Sequence, residues 1–202
     1  MPSPFDSQAI MATINTALPQ LSLGAIRVGT KGQQTAVLQT PLKFRLASAN
    51  QGSSLRMPFG KPTSYGDSSR TADRENVNFS ADTQELQAWA DKLDKKIQAA
   101  AKEAGLVTER HEYKPILMPS KREGYNPTVA VKCQMTGLRK VRCWSPEMTR
   151  IEDDFDWNQV TVVPIVELRG IWRQNHQYGP TIDVTDMLVF SNDDGMCPFT
   201  LE

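Results

Sequence analysis

The chain has 202 residues, equal numbers of basic and acidic side chains, 39% hydrophobic residues and three cysteines. This length is enough for one domain with a sizeable core, and zero net charge excludes a bulk polycation. An odd cysteine count without metal-ligand spacing argues against a disulfide framework, and no apolar run reaches membrane-spanning length. We therefore expect a soluble intracellular protein that does not insert into a membrane.

The charges are spread unevenly along the chain. Residues 107–150 carry nine basic and four acidic side chains, whereas residues 151–202 carry two basic and ten acidic ones. Such asymmetry is typical of a nucleic-acid surface combined with an acidic tail, although chance fluctuation of surface charge gives the same pattern. We divide the chain into an N-terminal extension (1–24), a main domain (25–190) and an acidic C-terminal tail (191–202).

The first strand patterns follow the extension. Alternating apolar positions predict strands within residues 25–46, with the polar segment 31–34 as their turn and Pro41 as an edge position or a break. Residues 47–78 are rich in Ser, Gly, Pro, Asn and Asp, which predicts a loop with Phe59 as its anchor.

One helix is predicted at about 82–104. Asp82 and Glu85 form a capping-box pattern at its start, and Gly105 is suited to its C-terminal cap. An apolar stripe at helical spacing (Leu86, Trp89, Leu93, Ile97) predicts packing against the sheet.

The β pattern resumes after the helix. Residues 128–135 alternate well, and the turn at 136–139 predicts a hairpin with the strand that follows. The segment from Trp157 to Phe190 predicts two more strands around a polar loop that Gly170 and Gly179 bracket. Five to seven short strands and one inserted helix predict a mainly β fold, an OB-like antiparallel β-barrel.

Catalytic motifs are not evident. The sequence contains no phosphate-binding loop, dinucleotide-binding fingerprint or paired-cysteine motif. The acidic cluster at 152–156 lacks the ligand spacing of a calcium loop, and neither His176 nor Cys143 has a recognisable catalytic partner. We expect no enzyme, no cofactor and no metal site.

Cations instead recur beside aromatic residues on several predicted strands and loops. Binding of an unpaired nucleic-acid strand uses both, because cations follow the phosphates and flat rings stack on bases. The candidate binding residues are Lys114, Lys121, Arg122, Tyr125, Lys132, Arg139, Lys140, Arg142, Trp144, Arg169, Trp172 and Arg173.

Trp144 and Trp172 have two interpretations, as stacking residues or as core residues. Strict alternation places Trp172 on the core face with Leu168, and Arg169 with Arg173 on the binding face. A bulge next to Gly170 would turn Trp172 outward. We favour the core position for Trp172 and expect the two arginines to contact the nucleic acid.

The order of these motifs resembles a known family. It comprises a PFG loop (58–60), a short strand at 77–80, a helix with LxxWxxxLD (86–94), a YxP strand start at Tyr113, a hairpin, and VPIVELRGIW…YG…DVTDMLVF (163–190). This resembles the OB-fold single-stranded-DNA-binding proteins of large double-stranded DNA viruses and of algae, including dinoflagellates. It is distantly similar to podophage single-strand binding proteins.

The resemblance implies sequence-nonspecific binding of single-stranded DNA during replication, recombination or repair, in a nucleus, an organelle or a viral replication site. It also implies contact with replication proteins through the acidic tail, and a homodimer is possible. Two alternatives stay open: a structural or assembly subunit that uses the barrel for protein–protein contacts, and a small-ligand or enzyme barrel.

Overall fold

The computed structural model describes residues 12–13, 17–47, 54–60 and 74–191. This part of the chain forms one helix, α1 (Gln84–Glu103), and twelve strands. The strands are β1 (Ala12–Thr13), β2 (Leu23–Val28), β3 (Gln34–Arg45), β4 (Leu55–Arg56), β5 (Arg74–Ser80), β6 (Glu112–Tyr113), β7 (Leu117–Met118), β8 (Thr128–Gln134), β9 (Arg142–Trp144), β10 (Arg150–Ile151), β11 (Val160–Gln174) and β12 (Gln177–Ser191). The prediction of a mainly β fold with one helix is confirmed.

All twelve strands belong to one sheet, whose main path runs β1-β3-β11-β12-β8-β5. The long antiparallel pair β11 and β12 forms its centre, with β3 antiparallel to β11 and β5 antiparallel to β8. Six of the strands have six residues or more. The remaining strands are short additions of two or three residues, and β1 lies within the predicted N-terminal extension.

The sheet differs from the predicted antiparallel barrel in two respects. Among the described strands, the path does not return from β5 to β1, so the sheet is not closed. In addition, β6, β8 and β9 all pair with β12 in parallel. The physical reason is connection length, because β8 ends at Gln134 and β12 begins at Gln177, which leaves room for a crossover between parallel strands.

The helix begins and ends with recognisable caps. Thr83, not the predicted Asp82, is the N-cap, and its side chain accepts a hydrogen bond from Leu86 N at 3.3 Å. Asp82 is engaged elsewhere, since it accepts from Asn126 at 2.9 Å. At the other end Gly105 has a φ of +66°, and the amides of Gly105 and Leu106 return to Lys102 O and Ala101 O. This is a Schellman motif, as the glycine predicts.

The apolar stripe of α1 is buried, as the sequence predicts. Leu86, Leu93 and Ile97 have no exposed surface, and the Trp89 ring packs edge-on against Phe44 of β3 with ring centroids 5.4 Å apart. Burial of four large apolar side chains supplies several kcal/mol of hydrophobic stabilisation, at about 1.5–3 kcal/mol each.

The predicted hairpin at 136–139 is wrong. Strands β8 and β9 both run parallel to β12, so the chain leaves the sheet after β8 and rejoins it in the same direction. The intervening residues 135–140 form a protruding loop, which the hydrogen bond from Val141 N to Gln134 O closes at 2.9 Å. We call this the 135–140 loop. At its tip the Leu138 side chain is fully exposed.

A bulge interrupts β11 at Arg169. Leu168 and Gly170 pair with the consecutive residues Ile182 and Thr181 of β12, so Arg169 is the extra residue. The bulge shifts the alternation by one position, which places Ile171 in the core at 1% exposure and leaves Trp172 half-buried. The preferred core position for Trp172 is therefore wrong, and the alternative with a bulge is the one observed.

Three further expectations concern the periphery. Phe59 is 73% exposed and does not anchor its loop among the described residues. The predicted acidic tail lies outside the described residues except for Ser191. No described helix combines the length and apolar character that a membrane span requires.

Candidate nucleic-acid interface

A groove of about 930 Å³ crosses the sheet from β2 to β5, with the 135–140 loop at its side. We call it the basic groove, because eight cationic side chains and only two carboxylates line it. Its charged residues are Arg27, Lys43, Arg74, Arg139, Lys140, Arg142, Arg150, Arg169, Glu167 and Asp183.

Strand alternation explains how these side chains reach one face. Along β12, Thr181 and Asp183 line the groove, while Ile182 between them is buried and does not line it. Polar residues on one face and apolar residues on the other are typical of a sheet with one solvated side. The groove is thus the solvated face of the sheet that forms the core.

The floor of the basic groove is an ion-pair network built on two carboxylates. Asp183 binds Arg74 through two guanidinium nitrogens and also lies 3.2 Å from Arg169 Nε. Glu167 lies 3.2 Å from the same Arg169 nitrogen and 3.9 Å from Lys43 Nζ. The Arg169 Nε–H does not point at either oxygen with hydrogen-bond geometry. Three cations against two carboxylates leave the floor with an excess of positive charge.

Three other arginines of the groove have no carboxylate partner among the described residues. Arg27, Arg139 and Arg150 make no ion pair with any described residue, and all three are exposed. An exposed guanidinium presents several N–H donors in a geometry that matches phosphate oxygens. These rim arginines are therefore available to an anionic ligand.

Two more cations are fixed in place by acids behind the groove. Arg142 forms a two-pronged pair with the buried Asp186, with both nitrogen–oxygen distances at 2.8 Å. Trp144 Nε1 donates to the same carboxylate at 3.0 Å. Lys140 Nζ lies 2.8 Å from Asp153, and this hydrogen bond raises the pKa of Lys140. Trp144 packs partly against the core and does not line the groove.

A second depression of about 480 Å³ adjoins the groove and shares Arg74 and Thr181 with it. We call it the Trp172 hollow. Trp172, Lys114 and Lys132 line it. The described lining of the basic groove itself includes no aromatic side chain, whereas the adjoining hollow includes the Trp172 ring.

Four predicted site residues lie elsewhere. Lys121, Arg122 and Tyr125 are exposed in the loop before β8, whereas the groove is reached at the other end of that strand, at Gln134. Seven residues of strand separate the two ends by about 20 Å at roughly 3.3 Å per residue. Arg173 donates to Leu106 O at 3.0 Å, beyond the end of α1, and does not line the groove.

The structure therefore brings together part of the predicted site. Arg139, Lys140, Arg142 and Arg169 meet in the basic groove, and Lys114, Lys132 and Trp172 meet in the hollow. Sequence reasoning missed four groove cations: Arg27, Lys43, Arg74 and Arg150. Alternation on β3 could have found Lys43, because it precedes the buried Phe44. The other three have no aromatic neighbour in the sequence to mark them.

No group of three or more metal-ligating side chains with suitable geometry occurs among the described residues. The basic groove offers nitrogen cations and few oxygen ligands, which is the donor set for an anion and not for a metal ion.

No protein-family model matches this chain, and no curated protein matches it. Among solved structures, the chain is similar to the single-stranded DNA-binding protein from bacteriophage Enc34 in complex with ssDNA, at 9% identity and a TM-score of 0.49. That match covers 88% of this chain and 98% of the other.

A C-terminal truncation of the same phage protein matches at 11% identity and a TM-score of 0.46, over 90% of this chain and 100% of the other. Both matched chains are forms of one single-stranded DNA-binding protein of that bacteriophage.

Proposed function

We propose that this chain is a single-stranded-DNA-binding protein that binds without sequence preference and is not an enzyme. We place it in replication, recombination or repair, with the basic groove as the binding surface. The observation that carries the proposal is the charge of the groove, where eight cations face two carboxylates in a chain of zero net charge.

The distribution of the cations supports a phosphate backbone as the ligand. The three rim arginines are spread over β2, the 135–140 loop and β10, so they frame an extended path and not one point. A chain of phosphates satisfies several separated cations at once, whereas a single small anion satisfies only one or two.

The apolar side chains of the groove favour a strand with unpaired bases over a duplex as the ligand. Val37 is 40% exposed and Leu138 is fully exposed, and both lie among the cations. Apolar side chains between phosphate contacts suit the faces of unpaired bases, while a duplex presents only its charged backbone to a surface without a groove-reading element.

The test is the salt dependence of binding to oligo-dT and to the matching duplex. Neutralisation of three or four phosphates predicts a log–log slope of about −2 to −3, at roughly 0.7 per phosphate of a single strand. Replacement of both Arg139 and Arg150 by Ala should reduce the magnitude of that slope by about 1.4.

The matched control removes the same charge elsewhere. Lys92 and Lys95 are exposed on α1 and do not line the groove, so replacing both by Ala should leave the slope unchanged. Equal effects of the two double variants would show that bulk charge, not the groove, governs binding. Equal affinity for duplex would refute the preference for single strands. No binding to either form would refute the whole proposal and favour the assembly-subunit alternative.

A further inference from the structure

We propose that the Trp172 hollow is a nucleotide subsite, in which one unpaired base stacks on Trp172 and the adjoining phosphate contacts Lys132. This rests on the proposed function of the neighbouring groove. It adds a site that reads the presence of a base, which the cations of the groove cannot do.

The hollow is placed where a strand leaving the groove would enter it. Arg74 and Thr181 line both depressions, so the two are direct neighbours on this surface. Arg74 and Lys132 lie on adjacent strands and on the same face, since Arg74 pairs with Gln134 and Asn76 pairs with Lys132. Successive phosphates could therefore pass from one cation to the next.

The Trp172 ring is held in a fixed orientation. Its Nε1 donates to Pro180 O at 3.1 Å, and its Cζ2 would lie 3.4 Å from a Cβ added at its cross-strand partner Gly179. The glycine thus lets the indole lie close to β12. A ring that is already immobilised loses little conformational entropy when a base stacks on it.

Lys132 has carboxylates nearby but is not in direct contact with one among the described residues. It is half-buried, forms no ion pair with any described residue, and burial together with the nearby Arg74 lowers its pKa. The carboxylates of Glu75 and Asp183 partly oppose that shift. Partial burial of an unpaired ammonium is unfavourable, and a phosphate oxygen beside it would relieve that cost.

Amide side chains complete the lining. Gln33, Asn76 and Gln174 each bring a donor and an acceptor to the hollow. A volume of about 480 Å³ lies within the range of roughly 300–1,000 Å³ that is usual for sites of small organic ligands. An aromatic face, neutral hydrogen-bonding groups and three cations (Arg74, Lys114 and Lys132) are the chemistry that a nucleotide requires.

The first experiment uses the unaltered 202-residue chain. Its affinity is compared for oligo-dT of about 16 nucleotides and for an abasic strand of the same length, which keeps the phosphates and lacks the bases. We expect the abasic strand to bind about 5- to 150-fold more weakly, the usual effect of one stacked base. Equal affinity for both strands would overturn the subsite, together with base contacts at Val37 and Leu138, and would leave only the phosphate contacts of the groove intact. Loss of binding to both would instead overturn the groove proposal.

The second experiment uses variants. Trp172→Leu should weaken oligo-dT binding by a similar factor and leave abasic binding unchanged, whereas Trp172→Phe should retain most of the affinity. Lys132→Gln should weaken both strands alike, and Lys95→Gln on α1 is its control. Trp172→Phe also keeps the test valid if the leucine variant folds poorly. Oligo-dT affinity that is unchanged in folded Trp172→Leu protein would overturn the assignment.

Discussion

Asp94 is a buried carboxylate whose ionisation should set part of the pH dependence of stability. It lies on the inner face of α1 at 6% exposure. Its Oδ1 accepts a hydrogen bond from Tyr113 Oη at 2.5 Å, and both of its oxygens lie 3.2 Å from Ile116 N. Burial raises the pKa of Asp94 to about 6, against the lowering effect of these hydrogen bonds.

The sign of the effect follows from proton binding. Between about pH 4 and pH 6 the folded chain holds the Asp94 proton that the unfolded chain has already lost. The free energy of unfolding therefore falls as pH rises through this window. The pKa of Asp94 is about 6 in the folded chain, against the usual 3.8 in the unfolded chain. This difference corresponds to about 3 kcal/mol in the free energy of unfolding, and about 2–3 kcal/mol of it should be lost between pH 4 and 7.

The perturbation is Asp94→Asn, which keeps the shape and an acceptor for Tyr113 but cannot ionise. Urea unfolding of both proteins across pH 4 to 7 gives the stability difference, in which contributions from all other carboxylates cancel. We expect Asp94→Asn to gain about 2–3 kcal/mol relative to the unaltered chain as pH rises across this window. Glu103→Gln, an exposed change on the same helix, is the control and should show little of this trend. A stability difference that stays flat with pH would refute the reasoning.

Three further predictions concern packing. Leu93→Ala on the buried face of α1 should cost about 2–5 kcal/mol in urea unfolding, and a loss below about 0.5 kcal/mol would contradict the burial of that face. Gly170→Ala places a Cβ 2.3 Å from Ala36 O, so β3 must shift. The free energy of unfolding should fall by about 1–3 kcal/mol in thermal unfolding. An unchanged melting temperature would mean that β3 and β11 are further apart at this point. Arg142→Ala removes the arginine that pairs with the buried Asp186 and leaves Trp144 Nε1 as a donor to that carboxylate. The free energy of unfolding should fall by about 1–3 kcal/mol. Arg110→Ala, a change at an exposed position, should leave it unchanged.

The local sequence pattern predicted the elements whose signals lie within a few residues of one another. The stripe from Leu86 to Ile97 predicted the helix and its buried face, because helical spacing alone determines which side chains share a side. Gly105 predicted its cap for the same local reason. Alternation likewise predicted the buried Val129, Val131 and Cys133 of β8.

The local sequence pattern did not predict which strands pair with each other or in what register. The turn at 136–139 looks like a hairpin because Gly137 favours a reversal, yet β9 pairs in parallel with β12 and leaves the 135–140 loop outside the sheet. Parallel alignment depends on a strand that begins more than thirty residues later. That pairing places Arg139 and Leu138 beside the groove.

The sequence by itself determined a mainly β chain with one amphipathic helix and basic segments in an otherwise neutral composition. The tertiary structure decided which cations meet and which way Trp172 faces. The Arg169 bulge lies where β3 packs closely on β11, since a Cβ added at Gly170 would lie 2.3 Å from Ala36 O. One extra residue reverses every side chain that follows it in a strand, so the bulge places Ile171 in the core and Trp172 at the hollow.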